Sequence, residues 1–375
     1  MAGIYIHIPF CRQACAYCDF HFATSLKNKT EMVGALCREL MLRKSYLPDN
    51  TRVETIYFGG GTPSLLDISE LQAILDCVYV HYHVAGDAEI TLEANPDDLS
   101  LSKLKMLRET PINRLSIGIQ SFFEEDLRWM NRAHSASEAK TVLADAQSMG
   151  FENLTADLIY GYPLLTDEKW ETNIAYLLQS GICHLSAYSM TVEKGTPLWR
   201  HIHKGQQKAM DEEQSAGQFL FLMEQMRAKG WEQYEISNFA LDQSYSRHNT
   251  NYWRNVPYLG IGPSAHSFDG RSRQWNTKVN NRYLQGIAGG NPIFEKETLS
   301  VPDQVNEYIM TALRTMWGID MVLIEQKFGQ SIRVTLSGSS QPFIAQNQLI
   351  LENEKLMLTQ SGKLFADHIA AELFL

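Results

Sequence analysis

The chain has 375 residues, 44% of them hydrophobic, and no low-complexity tract, enough for one large α/β domain and a small second one. Its 33 Lys and Arg stand against 43 Asp and Glu, a formal charge of -10, which argues against a general nucleic-acid or anionic-membrane surface. No basic leader with an apolar core opens the chain and no stretch reaches transmembrane length. Six cysteines, three clustered and three scattered, suit a reducing cytoplasm rather than a disulfide framework.

In chain order, the first apolar run covers 4–8 and leads into Cys11-Arg12-Gln13-Ala14-Cys15-Ala16-Tyr17-Cys18. A strand that runs into a compact cysteine loop is a place to hold metal. Three thiolates can fill three corners of a cubic iron–sulfur cluster and leave the fourth iron open to a ligand that is not protein. Zinc is the alternative, with Asp19, His7 or His21 as fourth ligand. A disulfide leaves one cysteine over. Cys37, Cys77 and Cys183 lie in apolar segments and read as small core residues.

Further strand-like runs cover 55–58, 89–94, 114–119, 154–159 and 184–188. Helical spacing lies between them: Val33, Leu36, Leu40 and Leu47; Leu71, Ile74, Leu75 and Val78 behind a Ser69-x-x-Gln72 capping box; Ala139, Val142, Leu143 and Ala146 behind Ser135-x-x-Glu138 and ahead of Gly150; Trp170, Ile174, Leu177 and Leu178 up to Gly181. Six β–α units in a row predict a parallel sheet with right-handed crossovers.

Polar residues recur at the carboxyl ends of these strands, where parallel α/β barrels collect function. Gly59-Gly60-Gly61-Thr62-Pro63 follows the second strand, Glu93 closes the third, Gln120 the fourth, Asp157 lies in the fifth and Tyr188 ends the sixth. One or two such groups satisfy helix ends in any fold; the set in phase predicts a site at one end of an otherwise apolar barrel. The glycines allow close backbone approach to a ligand, or a tight turn stiffened by Pro63. No Lys follows at P-loop spacing.

Beyond the sixth strand, 211–230 reads as a helix, and 234–239 as an extended stretch at the sheet edge. Ser246–Trp253 and 259–266 lack helical or strand period and read as functional loops. His248 can ligate heme iron, Tyr252 and Trp253 can stack on a porphyrin, and Arg247 and Arg254 can pair with propionates. The bland alternative is a histidine bonded within its loop beside a tryptophan core anchor. His266 is a second candidate. From 299 the pattern becomes helix at 305–316, helix at 323–328, hairpin at 349–351 and 355–358 around Asn353-Glu354, and a last helix over 362–375.

Cys-x3-Cys-x2-Cys after a first strand resembles the signature of the radical S-adenosylmethionine (SAM) superfamily. The longer string from Tyr5 through Cys11 to Phe20 resembles the oxygen-independent coproporphyrinogen III oxidase family, and within it the HemW-type heme chaperone branch. The resemblance covers nearly the whole chain. It implies a partial (β/α)6 TIM-type radical SAM barrel with a small C-terminal helical, winged-helix-like domain, divided at 1–240 (barrel), 241–298 (barrel extension) and 299–375 (C-terminal module, read as a lid or partner surface). It implies a 4Fe-4S cluster on Cys11, Cys15 and Cys18, and SAM beside Tyr5, Tyr17, Gly60, Gly61, Thr62 and Glu93. Gln120, Arg132 and Asp157 match positions that contact a second SAM in the oxidase branch. His248-Asn249-x-x-Tyr252-Trp253 matches a motif of the chaperone branch and marks heme candidates.

The expected function is therefore a heme chaperone that hands heme to an acceptor protein, with an electron donor, no nucleic-acid partner, peripheral membrane contact at most, and a cytoplasmic location. Alternatives are the oxidase, a radical SAM methyltransferase, and a zinc-stabilised barrel without radical chemistry. Two departures favour the chaperone over the oxidase. Phe20 stands where the oxidase branch carries a further cysteine, and only four residues precede Tyr5 where oxidases carry a long covering segment.

Overall fold

The structure, a computed structural model, describes residues 1–375. Six strands, β1 (Ala2–Ile8), β2 (Arg52–Gly60), β3 (His83–Ala94), β4 (Arg114–Gln120), β5 (Asn153–Tyr160) and β6 (His184–Ser189), pair in parallel in sequence order. Helices α1 (Lys29–Leu42), α2 (Ile68–His81), α3 (Leu101–Leu107), α4 (Glu124–Trp129), α5 (Ala136–Ser148) and α6 (Asp167–Gln179) lie between them in the chain. These are the expected β–α units. Gly150 and Gly181 take positive φ just past α5 and α6, as helix stops do. The box at α5 is Ser135 with Glu138, as read; the one at α2 is Asp67 with Glu70, two residues ahead of the expected pair.

The chain continues through α7 (Pro197–His203), α8 (Glu212–Ala228), β7 (Glu232–Glu235), β8 (Asn238–Ala240), α9 (Arg247–Trp253), β9 (Tyr258–Ile261), β10 (His266–Phe268), β11 (Ser272–Asn276), α10 (Asn280–Ala288) and β12 (Phe294–Thr298). The 12-stranded sheet has the order β12-β11-β10-β9-β1-β2-β3-β4-β5-β6-β8-β7, so it is a partial barrel with two open edges. Two expected loops are in fact regular structure. Residues 247–253 form the helix α9, capped by Ser246, whose Oγ accepts from the Asn249 amide. Asn, Thr and aromatic residues are poor helix formers, and seven residues leave little periodicity to see. Within 259–266, β9 adds a strand parallel to β1.

Alternation along the strands decides what faces where. Ile4, Ile6 and Ile8, Ile56 and Phe58, Ile90 and Leu92, Leu115 and Ile117, and Leu154, Ala156 and Leu158 are all buried in one 66-residue core, which also takes in the inner faces of the helices. The opposite face of the same strands carries Gly3, Tyr5 and His7; Thr55, Tyr57 and Gly59; Glu89, Thr91 and Glu93; Arg114, Ser116 and Gly118; Thr155 and Asp157; His184, Ser186 and Tyr188. The barrel interior is thus polar and aromatic along its length. It is not an apolar barrel with polar groups at one end only.

Glu39 on α1 ties the added strands to the barrel. It is fully buried and accepts from the Gly262 amide (2.8 Å), Asn276 Nδ2 (2.7 Å) and Tyr283 OH (2.7 Å), with Arg43 at 3.5 Å. Burial raises its pKa, while those partners pull it down.

The C-terminal module has a separate 13-residue core built from α11 (Val301–Leu313), β13 (Ile319–Asp320), α12 (Met321–Phe328), α13 (Gln330–Ala345), β14 (Leu349–Glu352), β15 (Lys355–Leu358) and α14 (Ala366–Glu372). Helix–strand–helix–helix–hairpin is winged-helix order. The hairpin turns on Asn353 and Glu354, both at positive φ. The sequence reading missed α13, whose Gly338, serines and internal Pro342 disguise it, and overextended the last helix, which begins with a 3-10 turn at Gly362–Phe365.

Glu39→Ala would leave Tyr283 OH and the Gly262 amide without their acceptor and Arg43 without its carboxylate, although Arg43 keeps Gln274 and Asn276 keeps Gly262 O. The expected loss is about 3–5 kcal/mol in denaturant unfolding; a loss below about 1 kcal/mol would show that water replaces the carboxylate.

Candidate functional site

The cysteine loop leaves β1 at the barrel mouth and is pinned by its own backbone. The Cys11 amide donates to Ala23 O (3.1 Å), the Ala23 amide to Pro9 O (2.9 Å), and the Ala16 amide to Met130 O (2.9 Å). Cys11, Cys15 and Cys18 are half-buried free thiols. Burial pushes Cys11 up to about 11 and Cys18 up to about 12, so unligated they stay protonated.

Two donors reach this loop. Thr62 Oγ1 donates to Cys11 Sγ (3.4 Å) and Arg132 Nη1 to Cys15 Sγ (3.4 Å). Asn95 joins them: its Nδ2 donates to Thr62 Oγ1 (3.4 Å) and its Oδ1 accepts from Arg132 Nη2 (2.6 Å). Asn95 was not singled out from the sequence. The available signal was its place one residue after the third strand and directly before Pro96. Arg132 Nη2 also donates to Gly118 O (2.8 Å).

The glycine loop sits against β1. Gly60 has φ +107, and a Cβ there would fall 2.6 Å from the His7 ring; one on Gly61 would fall 2.5 Å from Phe10 O. Only bare backbone can lie this close to the cysteine strand. Glu93, half-buried on β3, accepts from Tyr57 OH (2.7 Å) and is approached by the Gly60 amide. Burial lifts its pKa to about 7 against the pull of Tyr57, with Asp157 adding repulsion. Asp157 is pushed to about 6 by burial, opposed by Ser186, Arg114 and Ser116. Gln120 is buried with φ 64, a strained backbone for a residue with a Cβ. Tyr5 OH lies 3.2 Å from His7 Nδ1. Tyr17 is half-buried, its hydroxyl pKa raised by burial and lowered by Arg132.

The structure brings Cys11, Cys15, Cys18, Tyr17, Gly60, Gly61, Thr62, Glu93, Gln120 and Arg132 to one end of the barrel, with Tyr5 and Asp157 deeper in the lumen at mid-strand. His248, Asn249, Tyr252 and Trp253 are elsewhere. They lie on α9 at the opposite end, beside Gly3 and Thr55. His248 is 1% exposed; its Nδ1 bonds Thr55 Oγ1 (2.8 Å) and its Nε2 Tyr252 OH (2.9 Å), which leaves no ring nitrogen free. Burial lowers its pKa to about 3. Asn249 is half-buried, and Trp253 packs under the Arg314 guanidinium at 5.5 Å.

Comparison with known proteins agrees with this geometry. The radical SAM superfamily pattern matches residues 5–177 and the HemN C-terminal domain pattern residues 299–365. Heme chaperone HemW of Bacillus subtilis (strain 168) is 35% identical, covering 98% of this chain and 98% of its own. Heme chaperone HemW of Mycobacterium tuberculosis (strain ATCC 25618 / H37Rv) is 33% identical over 99% of this chain and 94% of its own. The chain belongs to the HemW family of the radical SAM superfamily. The coproporphyrinogen III oxidase HemN of Escherichia coli shares the fold at a TM-score of 0.86, with 22% identity, 100% of this chain and 90% of that one covered.

Membership implies a 4Fe-4S cluster and SAM, and the donor set fits both. Cys11, Cys15 and Cys18 are three free thiols on one loop, the number of protein ligands that leaves one iron of a cubic cluster open. Of the fourth ligands a zinc site would draw on, His7 has both ring nitrogens engaged, Nδ1 with Tyr5 OH (3.2 Å) and Nε2 with His21 O (2.9 Å).

Because the fold disfavours ionised Glu93, the ligand-free protein loses stability as pH rises from 4.5 to about 7. Glu93→Gln is expected to raise its Tm by about 2–4 °C at pH 8 and by less at pH 5. Equal shifts in differential scanning calorimetry at both pH values would show that Glu93 does not titrate in that window.

Proposed function

We propose that this protein binds heme and passes it to an acceptor protein while holding a 4Fe-4S cluster and SAM at the barrel mouth. The observation that carries this is the 35% identity, end to end, with a heme chaperone. Cys11, Cys15 and Cys18 would hold three irons. Gly60, Gly61 and Thr62 offer backbone and hydroxyl groups to the amino end of SAM, Glu93 offers a carboxylate to its cationic groups, and Tyr5 and Tyr17 flank it. When bound, the cluster supplies one electron and an open coordination site. Arg132, already committed to Asn95, Gly118 and Cys15, serves this first site; with Gln120 and Asp157 it borders the space a second SAM would need. A working division is 1–240, 241–298 and 299–375. No helix is long and apolar enough to cross a membrane. A cytoplasmic protein meeting an electron donor and a heme acceptor is the reading that remains.

For heme iron, His248 binds only if α9 leaves the barrel. His266 is reachable as the fold stands. It is exposed on β10 and stacked on Trp275 at 6.0 Å, and partial desolvation of its ring together with Arg273 lowers its pKa. We therefore take His266 as the heme ligand of this state.

Hemin titration tests the assignment. His266→Ala is expected to lose the histidine-ligated Soret band and about tenfold in affinity, with His248→Ala retaining both; the reverse would place the ligand on α9. Cys15→Ala is expected to lose the brown cluster absorbance after anaerobic reconstitution, and unchanged iron content would remove the cluster assignment. With SAM, a strong reductant and coproporphyrinogen III, the loaded protein is expected to form no protoporphyrinogen; many turnovers would make it an oxidase.

A further inference from the structure

The placement of His248 at the barrel floor has a use that heme does not explain. The His248 ring stacks on Tyr57 at 4.9 Å between ring centroids, and Tyr5 stacks on both, at 6.1 Å from Tyr57 and 6.5 Å from His248. Tyr57 OH then donates to Glu93 at 2.7 Å, and Tyr5 OH meets His7. The three rings therefore form one cluster inside the barrel, with α9 on one side and, through Tyr57 OH, Glu93 on the other.

Each end of His248 is held. Thr55 and Tyr252 take the two ring nitrogens, and a single neutral tautomer satisfies both. The Glu89 carboxylate accepts from the Arg247 amide (2.9 Å) and the His248 amide (2.9 Å), which fixes the start of α9 to β3, the strand that also carries Glu93. Gly3 makes the room: a Cβ there would lie 2.8 Å from Thr55 Oγ1 and 3.2 Å from His248 Cε1. The far end of α9 faces the C-terminal module. Arg314 lies over Trp253, Arg254 lies over Trp317 at 4.2 Å, and Asn255 Nδ2 donates to Thr311 Oγ1 (3.1 Å).

We infer that α9 is a positioning element of the SAM site, with His248 setting Tyr57 and through it Glu93, and with Trp253 and Arg254 clamping the same helix to the C-terminal module. The inference rests on the reading of Glu93 and Tyr5 as SAM contacts. It gives His248 and Tyr252 a role at the site, one ring away from Glu93, without iron ligation. Neither residue touches SAM; both act through Tyr57.

The test is a SAM titration of the anaerobically reconstituted full chain, followed by equilibrium dialysis and by the change in the reduced cluster's EPR signal. Tyr57→Phe keeps the stack and removes the donor to Glu93. His248→Ala removes the support and leaves the donor. Each is expected to weaken SAM binding about tenfold at unchanged iron content. The double variant is expected to be no weaker than the worse single one, since both act on one contact. His248→Gln, whose amide both accepts and donates, is expected to recover part of the loss. If His248→Ala does not fold, Tyr252→Phe takes its place in the cycle, with the same non-additivity expected. Additive losses, or unchanged SAM affinity in the His248 or Tyr252 variant, would overturn the inference while the SAM reading stands. Failure of the wild-type chain to bind SAM would overturn the reading of the mouth itself, and the inference with it.

Discussion

The constraint on which this protein depends is the period-two alternation of its parallel strands. The helices of the β–α units cover one face of the sheet, and that face must be apolar to bury its backbone-rich surface. Ile4, Ile6 and Ile8 meet that demand on β1. Once they do, Gly3, Tyr5 and His7 have no choice but to face the barrel interior, and the parallel register sets them beside Thr55, Tyr57 and Gly59. A slip of one residue would put the isoleucines into the lumen and the site into the helices. Hydrophobic burial outside thus dictates the placement of chemistry inside.

The lumen that results has two ends with different tasks. At the carboxyl ends of the strands, short-range connections dominate. Thr62, Asn95 and Arg132 come from three separate strand–helix connections and meet around two thiols. At the amino ends the groups are fully buried and satisfy one another. Thr155 bonds His184 (2.9 Å), His184 bonds Tyr234 (2.7 Å), and Glu89 caps α9. Buried polar groups are stable only when paired. Neither end meets that rule completely: Arg114 Nε, Thr250 Oγ1 and Trp253 Nε1 are buried without a partner at the floor, and Arg132 Nε at the mouth. A mouth with acidic groups held near neutral pH is what a cationic ligand would complete.

The C-terminal module meets the barrel at the β7–β8 hairpin beside β6 and at α9. It meets the barrel through backbone bonds from Ile236 to Arg314 (3.0 Å) and from Met316 to Tyr234 (3.0 Å), and through the ion pair of Arg314 with buried Glu235 (3.1 Å). Its contacts at the end of α9 include Asn255 Nδ2 to Thr311 Oγ1 (3.1 Å) and Arg254 over Trp317 (4.2 Å). Its winged-helix order says nothing about nucleic acid by itself.

Much of this was legible in the amino-acid order because it depends on local signals. Strand cores, helix spacings, the glycine stops, the cysteine loop, the glycine loop, Glu93 and Gln120 follow from period, spacing and neighbouring turn chemistry, whereas Tyr5, Tyr17 and Arg132 came only with the family resemblance. What the order of residues could not show was decided by contacts across long separations. His248 and Thr55 are 193 positions apart. A seven-residue helix of Asn, Thr and aromatics has no stability of its own and exists because Glu89 and the barrel floor receive it. The interior is polar where an apolar barrel was expected, because the flanking Ala156 and Leu158 of Asp157 belong to the outer core. The sheet sends those neighbours to the opposite face. Asn95 was missed for the same reason: its importance lies in Thr62 and Arg132, 33 and 37 residues away. Sequence alone determined which residue types could do chemistry and at which end of the strands they would gather. Only the tertiary structure decided which of them are free to meet a ligand and which are already occupied with one another, because hydrogen-bond capacity is spent on whatever the fold brings within reach.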